Sequence, residues 1–255
     1  MKRILTAAVL VPVVVWAVLW APASVFLLIM ALVGVAAFHE FDTIAGAQGI
    51  VRSGWVGMAA GVTLLLAPEP ALPILVVMAA ALMATKLGLP NLADTLPSVG
   101  TAMLGIVYIF GAWRCAVLLR EVNPHWLMIG LLVSWAGDTA AMYVGKAWGR
   151  RKLAPRVSPG KTQEGAVASV VGGIVAAVIY ARYFLPNESL LVVMSVGAIA
   201  NIAGQLGDLC ESAFKRGAGV KDSGTMLPGH GGWLDRIDST LFSVPAVYAV
   251  LLLLR

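Results

Sequence analysis

WLMIGLLVSWAGDTAAMYVGKAWGRRKLAPRVSPGKTQEGAVASV, Trp126 to Val170, holds two apolar runs around a short basic segment. The runs cover 125–146 and 165–184, and the intervening 147–164 carries Arg150, Arg151, Lys152, Arg156 and Lys161. Each run is close to the roughly 20 residues a helix needs to cross a hydrocarbon layer. Cations gathered in a short loop between two such runs mark the cytoplasmic side of a membrane protein. The stretch therefore reads as helix, cytoplasmic loop, helix.

The rest of the chain follows the same pattern. It is 60% hydrophobic and 12% charged, with a mean hydropathy of +0.88, whereas soluble domains are about a quarter charged. Apolar stretches fall at 4–20, 23–38, 54–67, 71–88, 98–119, 125–146, 165–184, 188–206 and 238–254. This predicts an all-α polytopic integral membrane protein of about nine transmembrane helices, with 54–67 the weakest span. Turn-forming residues separate the stretches, as at Ala21-Pro22, Asn123-Pro124 and Pro186-Asn187. With the N-terminus inside, 39–53, 89–97, 147–164 and 207–237 become cytoplasmic, and the last carries Lys215, Arg216, Lys221 and Arg236. The first apolar run reads as a retained helix rather than a cleaved leader. The whole chain, 1–255, reads as one membrane domain, with 1–130 an apolar helical scaffold and 134–240 the catalytic half. Glu40, Asp42, Lys86 and Asp94, the few charges of the scaffold, read as solvated helix ends.

A net charge of +5 raises the question of nucleic acid. The cations lie between apolar segments without interleaved aromatics, so they fit topology and anionic head groups, and no nucleic-acid partner is expected. Cys115 and Cys210 are too few and too far apart for a disulfide framework or a Cys-rich zinc site.

Polar residues able to do chemistry crowd into the second half. Asp138 lies inside a span, roughly 12 Å along the helix from Lys146. A carboxylate at that depth is costly, and it either pairs with a neighbouring cation or serves function. Gly160-Lys161-Thr162 imitates the tail of a phosphate-binding P-loop, but the earlier glycine is missing and no strand leads into it. Lys161 and Thr162 instead stand at the start of the span near Gly165, where free N–H groups favour an anion. Asp208, Glu211, Ser212 and Lys215 recur at helical spacing and share one face. That face is either solvated or one wall of a metal–phosphate site.

The segment from Lys221-Asp222 to Asp238 is too rich in Gly and Pro for a helix until Asp235-Arg236-Ile237-Asp238, where two carboxylates at i and i+3 open the last span. Asp208, Asp235 and Asp238 then come to one membrane depth. Carboxylates of this kind suit Mg²⁺, which takes its remaining ligands from water and substrate phosphates. Lys215, Arg216, Lys221 and Arg236 would offset polyphosphate charge. Carboxylates in a basic frame suit phosphoryl or nucleotidyl transfer. His230, between glycine-rich turns, is a candidate phosphate donor, while Asp222 either pairs with nearby cations or faces substrate.

The string S-x-F-K-R-x4-K-D-x-G-x2-L-P-x-H-G-G-x-x-D-R-I-D, Ser212 to Asp238, resembles the signature of the phosphatidate cytidylyltransferases, the CDP-diacylglycerol synthases. Asp138-Thr139 and Ser158-Pro159-Gly160-Lys161-Thr162 are similar to that family as well. Trp233 stands where the family usually has an aliphatic residue. The resemblance covers about 134–240. It implies that CTP and phosphatidic acid give CDP-diacylglycerol and pyrophosphate, with Mg²⁺ as cofactor. It also implies a homodimer in the cell inner membrane with its active site on the cytoplasmic side. Carried over by position, Asp208, Asp235, Lys215 and Arg236 would be catalytic. Asp208, Asp235 and Asp238 would hold metal. Asp138, Lys161, Thr162, Ser212, Arg216, Lys221, Asp222 and His230 would contact the two substrates.

Two other readings use the same residues. A CTP-dependent polyprenol kinase would transfer the γ-phosphoryl group. A secondary transporter would use Asp138 and Asp208 as ion sites, but would show paired, interrupted helices in two related halves. The charges here have no counterpart in the first half, which argues against the transporter.

Overall fold

The computed structural model describes residues 2–226 and 231–254. Apolar runs become helices throughout: α1 (Lys2–Leu19), α2 (Ala23–Ala47), α3 (Gly54–Leu66), α4 (Leu72–Thr85), α5 (Thr95–Gly105), α6 (Ala112–Val122), α7 (Pro124–Trp148), α8 (Gln163–Phe184) and α9 (Leu190–Gly217). A four-residue helix, α10 (Leu234–Ile237), precedes α11 (Thr240–Leu253). Among the described residues, six helical stretches are long and apolar enough to cross a membrane, and three shorter apolar helices lie at Val9–Leu19, Gly54–Leu66 and Leu72–Thr85.

Three features depart from the sequence expectation. Helix α2 does not end at 38 but carries Glu40 and Asp42 on to Ala47. The segment 147–164 is not a plain loop. Lys152–Ala154 (β1) and Ser158–Thr162 (β2) form a small antiparallel hairpin, with Lys152 opposite Thr162 and Ala154 opposite Ser158. Asp235 lies in α10, whereas Asp238 falls in the two-residue turn between α10 and α11. The Ser239 backbone N–H donates to Asp238 Oδ1 at 2.7 Å, so this carboxylate fixes the turn.

The chain packs as two compact units, each made of separated segments. The first comprises Met1–Ala8, Ala21–Arg114 and Phe214–Arg236. Its core is aromatic: Phe38, Phe41, Tyr108, Phe110 and Phe214 meet with ring centroids 5.9–6.4 Å apart. A π-helical turn, Ile106–Gly111, lies between α5 and α6. Such turns shift side-chain direction within a helix, and here Phe110 fills notches left by Gly34 and Gly61.

The second unit comprises Val9–Trp20, Cys115–Ala213 and Ile237–Arg255. Small residues let α7 and α8 pack closely, as is common between membrane helices. A Cβ on Gly137 would strike Asn201 Nδ2 and Ser169 Oγ, and one on Gly172 would meet the Ala140 Cβ at 2.8 Å. Asn201 is buried and donates to the Val133 carbonyl at 2.9 Å, tying α9 to α7.

Candidate active site

In the second unit, Thr162 closes the hairpin and caps α8, its Oγ1 accepting from the Gly165 N–H at 3.1 Å. The sequence reading left that helix N-terminus open to a substrate anion, and the protein fills much of it itself. Besides that cap, Gln163 N–H donates to the Arg151 carbonyl at 2.9 Å, and Glu164 in the first turn puts a carboxylate there, its Oε2 accepting from Arg150 N–H at 3.1 Å. What remains for a ligand is the ammonium of Lys161, which pairs with Asp208 of α9 at 2.7 Å.

Beside that pair, Asp138, Lys146, Lys161, Thr162, Ser169 and Gln205 line a cavity of about 270 Å³. Asp138 lies within electrostatic reach of both Asp208 and Lys161. The structure thus brings Asp138, Lys161, Thr162 and Asp208 together from α7, the hairpin and α9. Ser212, one turn beyond Asp208, donates to Asp208 Oδ1 at 3.3 Å.

The first unit holds the remaining described candidates except Asp238, which belongs to the second. Asp235 Oδ1 takes the Lys215 ammonium, while Oδ2 accepts the backbone N–H groups of Ser223 at 2.9 Å and Gly232 at 2.8 Å. A Cβ on Gly231 would stand 2.5 Å from that oxygen, and its φ of +78° also favours glycine. Asp235 therefore fastens the glycine-rich loop, and Lys215, also buried, balances its charge. Arg216, Lys221, Asp222 and Arg236 are exposed, and Arg216 also donates to the Val220 carbonyl at 3.0 Å. His230 lies outside the described residues.

Glu40, which the sequence presents as a solvated helix end, is instead buried. It is 3% exposed and accepts from Ser223 Oγ at 2.7 Å, Trp233 N–H at 3.0 Å and Leu234 N–H at 2.9 Å. Ser223 has one hydroxyl proton, so its shorter bond to Glu40 takes precedence over the 3.0 Å approach to Asp235 Oδ2. Asp42 is likewise buried and accepts the N–H groups of Ser53 and Gly54, each at 2.9 Å, at the start of α3. Lys86, also buried, donates to the Arg52 carbonyl at 3.2 Å. Asp94 alone of the four stays half-exposed, just before α5. Hydropathy gave no sign of Glu40's role, since its partners lie 183 to 194 residues away.

Among the described residues, neither unit gathers three His, Cys, Asp or Glu side chains into a ready-made metal cluster. The donors differ in fitness for a hard dication. The Asp208 side chain is 29% exposed beside the cavity; Lys161 and Ser212 each meet one of its oxygens, and its exposure is what leaves room for a further oxygen-seeking cation. The Asp235 side chain is 6% exposed and holds protein donors on both oxygens. Asp238 is half-buried and bonded to Ser239.

Apolar spanning helices with polar side chains gathered in two places define the class: an all-α polytopic membrane protein. The sequence profile of the cytidylyltransferase family matches residues 1–254, and the chain belongs to that family. It is 40% identical over 165 residues to the phosphatidate cytidylyltransferase of Bacillus subtilis, covering 62% of this chain and 60% of that protein. The enzyme of the same name from Staphylococcus haemolyticus is 38% identical over 160 residues, 63% of this chain and 59% of the relative. The one from Staphylococcus aureus is 36% identical over 150 residues, 59% of this chain and 58% of the relative. The chain thus spans about three fifths of the length of the curated relatives it matches.

Proposed function

We propose that this chain transfers the cytidylyl group of CTP to phosphatidic acid, giving CDP-diacylglycerol and pyrophosphate. The observation that carries this is the Lys161–Asp208 pair beside a cavity that holds Asp138, Lys146 and Lys161 where α7, α8 and α9 meet, within a chain of the cytidylyltransferase family. An anionic phosphate oxygen of phosphatidate attacks the α-phosphorus of CTP in line, the bond to the bridging oxygen breaks, and pyrophosphate leaves. The nucleophile is already deprotonated, so positioning and charge stabilisation carry the catalysis.

Lys146 and Lys161 supply positive charge on the cavity wall. Asp138 and Gln205 offer polar contacts to a bound substrate there. In the first unit, Asp235 and Lys215 hold the segment that carries the exposed Lys221, Asp222 and Arg236, and these charges, with His230, are proposed to meet the substrates. Asp208 is the residue best suited to hold Mg²⁺, with water and substrate oxygens completing the shell. When bound, the ion would neutralise developing negative charge on the phosphates.

The cations of 150–161 and 215–236 support placing this end of the helices on the cytoplasmic face of the inner membrane, with nine crossings and the N-terminus inside. A homodimer completes the proposal. The test is incubation of purified protein with CTP labelled in the base, phosphatidate and Mg²⁺, followed by organic extraction. Lipid-soluble cytidine label is the expected result. Its absence, or transfer of label only from γ-labelled CTP, overturns the reading.

A further inference from the structure

A second depression adjoins the cavity of Asp138, Lys146 and Lys161 and, unlike it, has no charged side chain in its lining. It has a volume of about 260 Å³ and an almost wholly apolar lining. Leu153, Ala166 and Gln205 border both spaces, so one opens beside the other. Beyond them the walls are Val167 and Val170 of α8 facing Ile202, Leu206 and Leu209 of α9. These positions repeat at helical spacing, so they form a strip roughly 10 Å long on α9.

The direction of the strip is informative. Helix α8 begins and α9 ends at the same end of the second unit, as Lys161 pairing with Asp208 requires. Ala166 and Leu209 are the lining residues nearest that end, while Val170 and Ile202 lie one turn or more further into the spans. Val167, Ile202 and Leu206 are largely exposed, at 66%, 48% and 52%, on helices apolar enough to cross a membrane. Gln205 marks the border, its Nε2 donating to the Ala166 carbonyl at 3.2 Å and to Asn201 Oδ1 at 2.8 Å. Past that amide the lining turns apolar.

We propose that the α8–α9 groove formed by Ala166, Val167, Val170, Ile202, Leu206 and Leu209 receives an acyl chain of the lipid substrate, whose phosphate enters the adjoining cavity beside Lys161. This rests on the proposed reaction, and it adds where the lipid lies and how it arrives. A polar cavity alone would suit a soluble anion. A cavity that continues into an apolar groove open along membrane helices suits an amphiphile with a charged head. It also lets such a molecule move in sideways from the bilayer without lifting its chains through water, where every exposed CH₂ is unfavourable.

The test uses the full chain in nanodiscs with phosphatidate carrying a diazirine midway along one acyl chain. Cross-links are expected on peptides containing 166–170 and 202–209, lost on adding unlabelled phosphatidate but kept with excess phosphatidylcholine. Val170→Trp and Ile202→Trp, which fill the groove, should raise KM for long-chain phosphatidate about tenfold and leave KM for CTP unchanged. Equal competition by phosphatidylcholine would mean bulk lipid only and overturn the proposal, as would wild-type lipid KM in both variants. If a variant fails to fold, the cross-links on the wild-type chain decide. Product formation with cross-links elsewhere sinks the groove and leaves the reaction standing. Phosphatidate-specific cross-links without CDP-lipid product sink the reaction and leave the groove.

Discussion

At the scale of single residues, two carboxylates of the first unit do structural work that their charge alone does not reveal. Asp235 gathers Lys215, Ser223 and Gly232, and Glu40 gathers Ser223, Trp233 and Leu234. Ser223 touches both, so the two carboxylates hold the described ends of the glycine-rich segment as linked acceptors. Glu40→Ala would strand the N–H groups of Trp233 and Leu234, and each buried, unsatisfied donor costs about 1–3 kcal/mol. The variant is expected to melt lower and to be cut faster by protease between 218 and 234. Glu40→Gln keeps one carbonyl acceptor and should fall between wild type and Ala. Thermal unfolding and limited proteolysis in detergent check the order, and an Ala variant indistinguishable from wild type would remove Glu40 from the loop's support. No property of the sequence near Glu40 distinguishes it from Asp94, which stays half-exposed. A hydropathy reading sees only a charge after an apolar run. Whether backbone donors arrive from nearly two hundred residues away is decided by the fold.

At the scale of elements, apolar length marked where helices exist but not where they end. The run from Ala23 foretold α2, yet α2 continues to Ala47 because Glu40 and Asp42 find partners inside the first unit. The run 238–254 foretold α11, yet its start is divided, since Asp238 bonds to Ser239 and turns the chain. The reading at 158–165 came nearer, since Thr162 does stand at the start of α8 and its side chain caps it. What the sequence hid was competition: the Arg151 carbonyl and the Thr162 hydroxyl take the Gln163 and Gly165 N–H groups that an anion would otherwise use. The cap is the testable part. Thr162 is buried, and its Oγ1 is the acceptor for the Gly165 N–H. Thr162→Ala is expected to lower stability by about 1 kcal/mol, while Thr162→Ser keeps the hydroxyl and most of the stability. Unfolding of the three forms in one detergent measures this, and equal stability would mean that the hydroxyl carries no capping weight.

At the scale of the whole molecule, the open question is how many helices cross the membrane and whether the answer moves the site. Helices α3 and α4 have 13 and 14 residues, or roughly 20 Å each, against a hydrocarbon layer of about 30 Å. The turn between them is held from α6, where Arg114 donates to the Leu65 carbonyl at 3.2 Å and pairs with Glu69 at 3.0 Å. Arg114 stands eight residues before the end of α6 at Val122, about 12 Å short of that end along the helix axis. The α3–α4 hairpin therefore dips only part of the way along its neighbour. Because α3 and α4 enter as a pair, removing both from the count leaves every later segment on the same side. The hairpin 152–162 and the loop 218–236 thus keep a common side whether the total is nine or seven. After replacement of Cys115 and Cys210, single cysteines at 156 and 218 are expected to react with an impermeant maleimide only from the cytoplasmic side, and one at 187 only from the opposite side. A cysteine at 68 should react from that opposite side too, but slowly, through a local thinning above Arg114. Labelling of 68 from the cytoplasm alone would make α3–α4 re-entrant and reduce the count by two. Labelling of 156 and 218 from opposite sides would break the parity itself, and with it the assignment of both cationic segments to one face.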